Sequence, residues 1–149
     1  MILRRAMLED MPALAQLNVT TVRTSLPFVP QVHPDGDVVG YFSGPFFAKA
    51  EFWMAEDEAG EALGYIAFRP DFVEHLFIRP QSQGQRVGVA LLDRAKQGAS
   101  ELSLWTFQQN LRARRFYEKH GFAVVVETDG HDNEEKLPDV LYRWRRNDP

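Results

Sequence analysis

Residues 72–96 read FVEHLFIRPQSQGQRVGVALLDRAK, and the change of period inside this stretch decides the fold. Residues 73–78 are rich in β-branched and aromatic side chains, and Arg79-Pro80 ends the run because proline has no N–H to give to a ladder. From Val87 the apolar residues fall at helical spacing, as Val87, Ala90, Leu91 and Ala95, so a helix is expected from about Gln85 or Arg86 to about Gly98. The loop between strand and helix carries Gly84 and no acidic residue. Such a loop presents unpaired backbone N–H groups and the positive end of the helix dipole, a receptor for phosphate oxygens. The stretch is therefore read as an anion site suited to a pyrophosphate. Neither G-x-x-x-x-G-K-S/T nor G-x-G-x-x-G follows the strand, which excludes a P-loop nucleotidase and a Rossmann cofactor site.

On the N-terminal side, residues 51–56 and 62–69 form a hairpin about the polar turn 57–61, and Asp71 turns the chain into the strand at 73–78. Ile2 to Arg5 is a short strand. Asp10 is the expected N-cap of a helix to about Ser25, with Pro12 in its first turn and Met11, Leu14, Leu17 and Thr21 as the inward stripe. Residues 26–50 hold four prolines among Phe28, Tyr41, Phe42, Phe46 and Phe47. They are expected to be loop-like and to cover the core, wall a substrate pocket, or do both.

On the C-terminal side, residues 102–106 (LSLWT) are the next strand, reached by a right-handed β-α-β crossover. Asn110 then caps a helix in which Ala113, Phe116 and Tyr117 share a face, with Gly121 as its C′ residue. Residues 122–127 and 140–144 close the sheet, joined by the acidic connection 129–136. The expected fold class is α/β (α+β): one domain over residues 1–149, with a mixed sheet of about six to seven strands and helices on both faces.

At 149 residues, 44% hydrophobic and 26% charged, the chain has the composition of an ordinary soluble domain. A net charge of −4 without a dense Lys/Arg run argues against a general nucleic-acid partner. The absence of cysteine removes disulfides, thiolate catalysis and Cys-based zinc sites. His131 beside acidic residues lacks the spacing of a metal site, and no metal is expected. No apolar run approaches 18 residues and MILRRAMLED lacks a signal-peptide core, so no membrane partner and a cytoplasmic location are expected.

The segment Gln83-Gly84-Gln85-Arg86-Val87-Gly88 resembles the Q/R-x-x-G-x-G/A motif of the GCN5-related N-acetyltransferases, which bind acetyl-CoA, with Arg86 in place of the middle glycine. Arginine gives up the close approach and the positive φ that glycine allows, and brings a guanidinium that either hinders the phosphates or helps them. About twenty residues on, Asn110-Leu111-Arg112-Ala113-Arg114-Arg115-Phe116-Tyr117-Glu118-Lys119-His120-Gly121-Phe122 is similar to the family's N-x-x-A-x-x-F-Y-E-K-x-G-F segment at every defined position. Leu3 to Ala6 followed by Glu9-Asp10 also looks like the family's N-terminus, and the resemblance covers about residues 2 to 145.

The resemblance implies roles. Backbone amides of Leu76, Phe77 and Ile78 would receive the pantetheine arm, and those of Gln83, Gly84, Gln85, Arg86, Val87, Gly88 and Val89 the pyrophosphate. Asn110 would hydrogen-bond the arm and Tyr117 would protonate the coenzyme A thiolate. Acetyl transfer to an amine also needs a proton acceptor. Glu74 and His75 are the side-chain candidates, with water as the third. Strict alternation would put Glu74, Leu76 and Ile78 on one face and His75 and Phe77 on the other. Asp132, Glu134 and Glu135 either draw a cationic amine or form a solvated loop. Arg112, Arg114 and Arg115 either meet the cofactor's 3′-phosphate or are solvated. The implied activity is acetyl-CoA-dependent N-acetylation of a small-molecule or peptide amine, by direct attack in a ternary complex, since no cysteine exists to carry an acyl group. A non-catalytic acyl-CoA-binding module and an acyltransferase for another acyl-CoA are the alternatives. A homodimer would match the family's habit.

Overall fold

A computed structural model describes residues 1–147. The elements are strand β1 (Ile2–Arg5), helices α1 (Met11–Ser25) and α2 (Asp35–Tyr41), a short α3 (Phe47–Lys49), strands β2 (Glu51–Glu56), β3 (Ala62–Arg69) and β4 (Phe72–Ile78), helix α4 (Val87–Gln97), strand β5 (Glu101–Phe107), helix α5 (Leu111–Lys119), and strands β6 (Ala123–Thr128) and β7 (Asp139–Arg145). The seven strands form one mixed sheet in the order β1-β2-β3-β4-β5-β7-β6. All neighbours are antiparallel except β4 and β5, the pair joined by the α4 crossover. One face is covered by α4 and α5, where Leu91, Leu92 and Tyr117 pack on Ile66, Leu102 and Tyr142. The other is covered by α1 and by Phe42 and Phe46, packed on Phe52 and Tyr65.

Two local expectations are corrected. Asp10 holds the N-cap position of α1, but its side chain makes no capping bond; its carboxylate takes a fork of hydrogen bonds from Arg4, both 2.9 Å, and one from the Met7 amide at 2.7 Å, closing a tight turn before the helix. Residues 35–49 are not loop-like but continuously helical. Pro34 sits before the first turn, where its fixed φ is no hindrance, and Asp35 and Asp37 complement the helix dipole. Pro45 is accommodated by a π-helical turn over Phe42–Phe46, whose wider spacing absorbs the missing N–H. The spacing Val38, Phe42, Phe46 at i, i+4 and i+8 was the signal for this helix, masked by the prolines.

Candidate active site

The site begins where β4 leaves its parallel neighbour. β4 and β5 are in register only at Phe72 and Ser103, while the opposite edge of β5 pairs along its full length with β7. The β4 edge from Val73 to Ile78 therefore faces a gap rather than a strand. Directly after that last pair, the β3–β4 register slips: Ala67 lies opposite His75 and Phe68 opposite Val73, leaving Glu74 as the extra residue of a β-bulge. A bulge breaks alternation. Val73 accordingly packs into the α4 side, while His75 joins the aromatic cluster on the α1 side. The expectation that Glu74 shares a face with Leu76 and Ile78 fails for this reason.

Two cavities open into the gap and share Leu26, Leu76, Phe77, Asn110, Ala113 and Tyr117 as their common wall. The smaller, about 440 Å³, is a groove between the end of β4, the loop into α4, α5 and the last turns of α1. The larger, about 810 Å³, lies between α1, α2, β4, β5 and the connection after β6.

The groove gathers unpaired backbone amides and positive charge. Gly84 has φ +81° and Arg86 φ +68°, so the motif's middle position does use the left-handed conformation. Arginine there keeps the backbone shape that the sequence suggested it would lose, at a cost of roughly 1–2 kcal/mol. At the α4 N-terminus the amides of Val87, Gly88 and Val89 precede the first intrahelical bond, which runs from Ala90 to the Arg86 carbonyl. Gln83 turns away from this cradle and donates its side-chain amide to the Ile78 carbonyl (3.1 Å) and to Ser25 Oγ (3.3 Å). Arg86, Arg112, Lys119 and His120 line the groove with no carboxylate among them. Burial and then the charges of Lys96 and Lys119 hold His120 below its ordinary pKa. The three arginines of α5 are thereby separated: Arg112 borders the groove beside Gly84, Arg114 is tied to Tyr142 and Glu127, and Arg115 is exposed.

At the junction of the cavities stands Tyr117. Asn110 Oδ1 accepts the Ala113 amide at 3.2 Å and starts α5, while Asn110 Nδ2 has no hydrogen-bond partner among the described residues; Gly121, at φ +92°, ends the helix. These two residues fix the phase that turns Tyr117 inward, to 8% exposure. Among the described residues its hydroxyl has no hydrogen-bond partner, and burial raises its pKa above the ordinary phenol value. Tyr117 is thus protonated at neutral pH and suits a base that is itself desolvated in the same gap.

The two side-chain base candidates differ in state. Glu74 holds Arg69 Nε at 2.8 Å and lies beside Lys49, yet borders the larger cavity. His75 packs against Phe42, Phe46 and Phe77, with only one edge towards that cavity, and its Nδ1 is 2.9 Å from the Tyr65 hydroxyl. The Tyr65 oxygen already accepts from Asn18 Nδ2 at 3.1 Å, so its proton goes to His75 Nδ1 and the ring proton resides on Nε2. In that tautomer the free nitrogen is a donor. Burial and then the nearby Lys49 lower the His75 pKa to about 4, which leaves Glu74 as the side chain with acceptor capacity.

His75 also makes stability pH-dependent. Its folded pKa lies below the unfolded value, so between about pH 6.5 and 4 the unfolded chain binds the extra proton and stability falls as pH falls. From pH 7 to pH 5 this group is expected to remove about 2 kcal/mol of unfolding free energy. Denaturant titrations of wild type and His75→Gln at both pH values check it: parallel losses in the two proteins would rule out His75 as the source.

The larger cavity is apolar at its walls and acidic at its rim. Trp105 and Tyr41 remain 45% and 41% exposed on it. Asp35, Asp37, Glu134 and Glu135 also border it, answered by Arg23, which holds Asp35 at 2.6 Å, and by His33, 3.2 Å from Glu134. Glu134 and Glu135 were singled out in the sequence and are brought here, whereas Asp132 and His131 are not. Asp35, Asp37, Trp105 and the Asn18–Tyr65 pair that fixes the His75 tautomer escaped sequence reasoning because they converge from four separate elements. Among the described residues no group of three or more His, Cys, Asp and Glu side chains is placed to hold a metal ion, and no helix is long and apolar enough to cross a membrane.

A family model described as the acetyltransferase (GNAT) domain matches residues 48–124, which span both motifs. The peptidyl-lysine N-acetyltransferase YiaC of Escherichia coli (strain K12) is 25% identical over 143 residues, covering 95% of each chain. The peptidyl-lysine N-acetyltransferase YjaB of the same organism is 32% identical over 87 residues, 58% of this chain and 59% of its own. Among solved structures, apo-form YjaB from Escherichia coli superposes with a TM-score of 0.79 at 24% identity over 96% of each chain. A GCN5-related N-acetyltransferase from Rhodopseudomonas palustris superposes with 0.78 at 18% identity, covering 97% of this chain and 94% of its own.

Proposed function

The chain belongs to the GNAT family of GCN5-related N-acetyltransferases, and from that premise we propose that it transfers an acetyl group from acetyl-CoA directly to a lysine side chain presented by a peptide. The observation that carries the cofactor half is the groove, with unpaired amides, the three cationic side chains of Arg86, Arg112 and Lys119, and no carboxylate. Acetyl-CoA supplies the activated acetyl group. The amides of Val87 to Val89 would hold its pyrophosphate, and Arg86 and Arg112 would add charge-assisted hydrogen bonds. The unpaired β4 edge at Leu76 to Ile78 and Asn110 Nδ2 would align the arm so that its reactive end meets the gap beside Tyr117. Tyr117 would then give its proton to the departing sulfur, with Glu74 accepting the amine proton through water.

The acceptor half rests on the larger cavity. A lysine side chain joins an aliphatic stem to a terminal cation, and the cavity joins apolar walls to an acidic rim. That two relatives are named peptidyl-lysine N-acetyltransferases supports a peptide over a free small amine. The chain's lack of cysteine, the most nucleophilic acyl carrier, supports direct transfer.

Calorimetric titration with acetyl-CoA, coenzyme A and a longer acyl-CoA tests the first half. Acetyl-CoA is expected to bind with a Kd on the order of 10 µM. Failure of all three to bind would end the acyltransferase reading. Thiol release with lysine-containing peptides, against N-acetylated-lysine controls, tests the second half. Binding of acetyl-CoA without any transfer to peptides would favour the non-catalytic module, and tighter binding of the longer acyl-CoA would point to another acyl donor.

A further inference from the structure

Thr21 was read in the sequence as a member of the α1 inward stripe, and the structure buries it to 4% exposure. Its Oγ1 is shielded from solvent and, among the described residues, is the one buried side-chain polar atom without a hydrogen-bond partner. A helical threonine ordinarily satisfies its hydroxyl on the carbonyl three or four residues earlier, and here it does not. Valine has the same shape and would fill a purely structural position without leaving a hydroxyl unpaired, which costs the folded state free energy. The residue borders the anionic-ligand groove, one helical turn before Ser25, facing the same space as Leu76, Phe77 and Ile78. Ser25 is already engaged by Gln83. Thr21 thus brings an uncommitted hydroxyl to the stretch of groove lying between the phosphate loop and Tyr117.

We propose that Thr21 is a ligand-binding residue whose hydroxyl, turned about χ1 between its two favoured helical rotamers, hydrogen-bonds an amide of the pantetheine arm. This rests on the acyl-CoA reading above. It adds to both sequence motifs a contact from α1, on the opposite wall of the groove, and explains why a polar side chain is kept in an otherwise apolar stripe.

The test compares wild type, Thr21→Val and Thr21→Ser by calorimetric titration with coenzyme A and by thermal unfolding of the ligand-free proteins. Thr21→Val is expected to bind coenzyme A about tenfold more weakly while its ligand-free Tm stays level or rises, and Thr21→Ser is expected to stay within about twofold of wild type. Unchanged affinity in Thr21→Val overturns the proposal. So does weaker binding accompanied by a lower ligand-free Tm, which makes the hydroxyl structural, or equal weakening in Thr21→Ser, which makes the methyl group the contact. Failure of the wild type to bind coenzyme A is the separate result that removes the acyl-CoA reading itself.

Discussion

Tyr117→Phe is expected to lower turnover about 100-fold while leaving acetyl-CoA affinity within about twofold of wild type. The magnitude follows from removing a positioned general acid, whose contribution is usually 10²- to 10⁴-fold, with the lower end chosen because water can reach the same gap through the larger cavity. Binding should survive because the ring stays. Tyr117 packs edge-on against Phe116 and Phe122, contacts that phenylalanine retains, and its hydroxyl makes no hydrogen bond to the protein among the described residues. The substitution therefore removes a proton donor and little else. Its raised pKa sharpens the expectation: the phenol is protonated throughout the neutral range, so the rate should not fall on the alkaline side below about pH 9 through loss of this proton. Pre-steady-state thiol release with a saturating lysine peptide separates the acid's role from product release. A variant that turned over at the wild-type rate would take Tyr117 out of the chemistry and leave it as a wall between two cavities.

Phe42→Ala is expected to lower the unfolding free energy by about 3–5 kcal/mol, the range for truncating a fully buried phenylalanine. Phe42 is 1% exposed and its ring lies 5.2 Å from Phe46, 5.9 Å from Tyr65, 5.7 Å from His75 and 6.2 Å from Phe52, so four rings lose a common partner at once. Phe42→Leu, closer in volume, should cost less than about 1.5 kcal/mol. Denaturant unfolding at pH 7 measures both. The loss should extend to the site, because Phe42 holds the His75 ring that supports the bulged β4 strand. A cost below about 1 kcal/mol for the alanine variant would mean that residues 35–49 lie loosely on the sheet rather than completing its core.

That second result bears on the segment where sequence reasoning went furthest astray. Proline carries a strong local signal against helix, and the prolines of residues 26–50 outweighed the regular spacing of Val38, Phe42 and Phe46. Only the packed structure reveals that Pro34 precedes the first turn and that Pro45 falls in a π-helical turn, two places where a helix tolerates it. Asp10 misled in the opposite way: its type and position suit a cap, but Arg4 on the neighbouring strand offers a stronger, charge-assisted partner.

Period, turn residues and two short motifs were enough for the strands, the β-α-β crossover, the glycine-bearing loop into α4, the caps of α5 and the inward phase of Tyr117, because each depends on neighbours within a turn or two of chain. The tertiary structure alone decided the rest. The Glu74 bulge is a property of a pair of strands. The His75 tautomer depends on Tyr65 and Asn18, brought from β3 and α1. The left-handed Arg86 keeps a shape its residue type disfavours, which takes surrounding packing to enforce. The unpartnered Thr21 hydroxyl is visible only once its neighbours are known to offer it nothing. Local hydrogen bonding and hydrophobic periodicity are short-range and can be read along the chain, whereas protonation, register and satisfaction of buried polar groups depend on distances between segments that only the fold brings together.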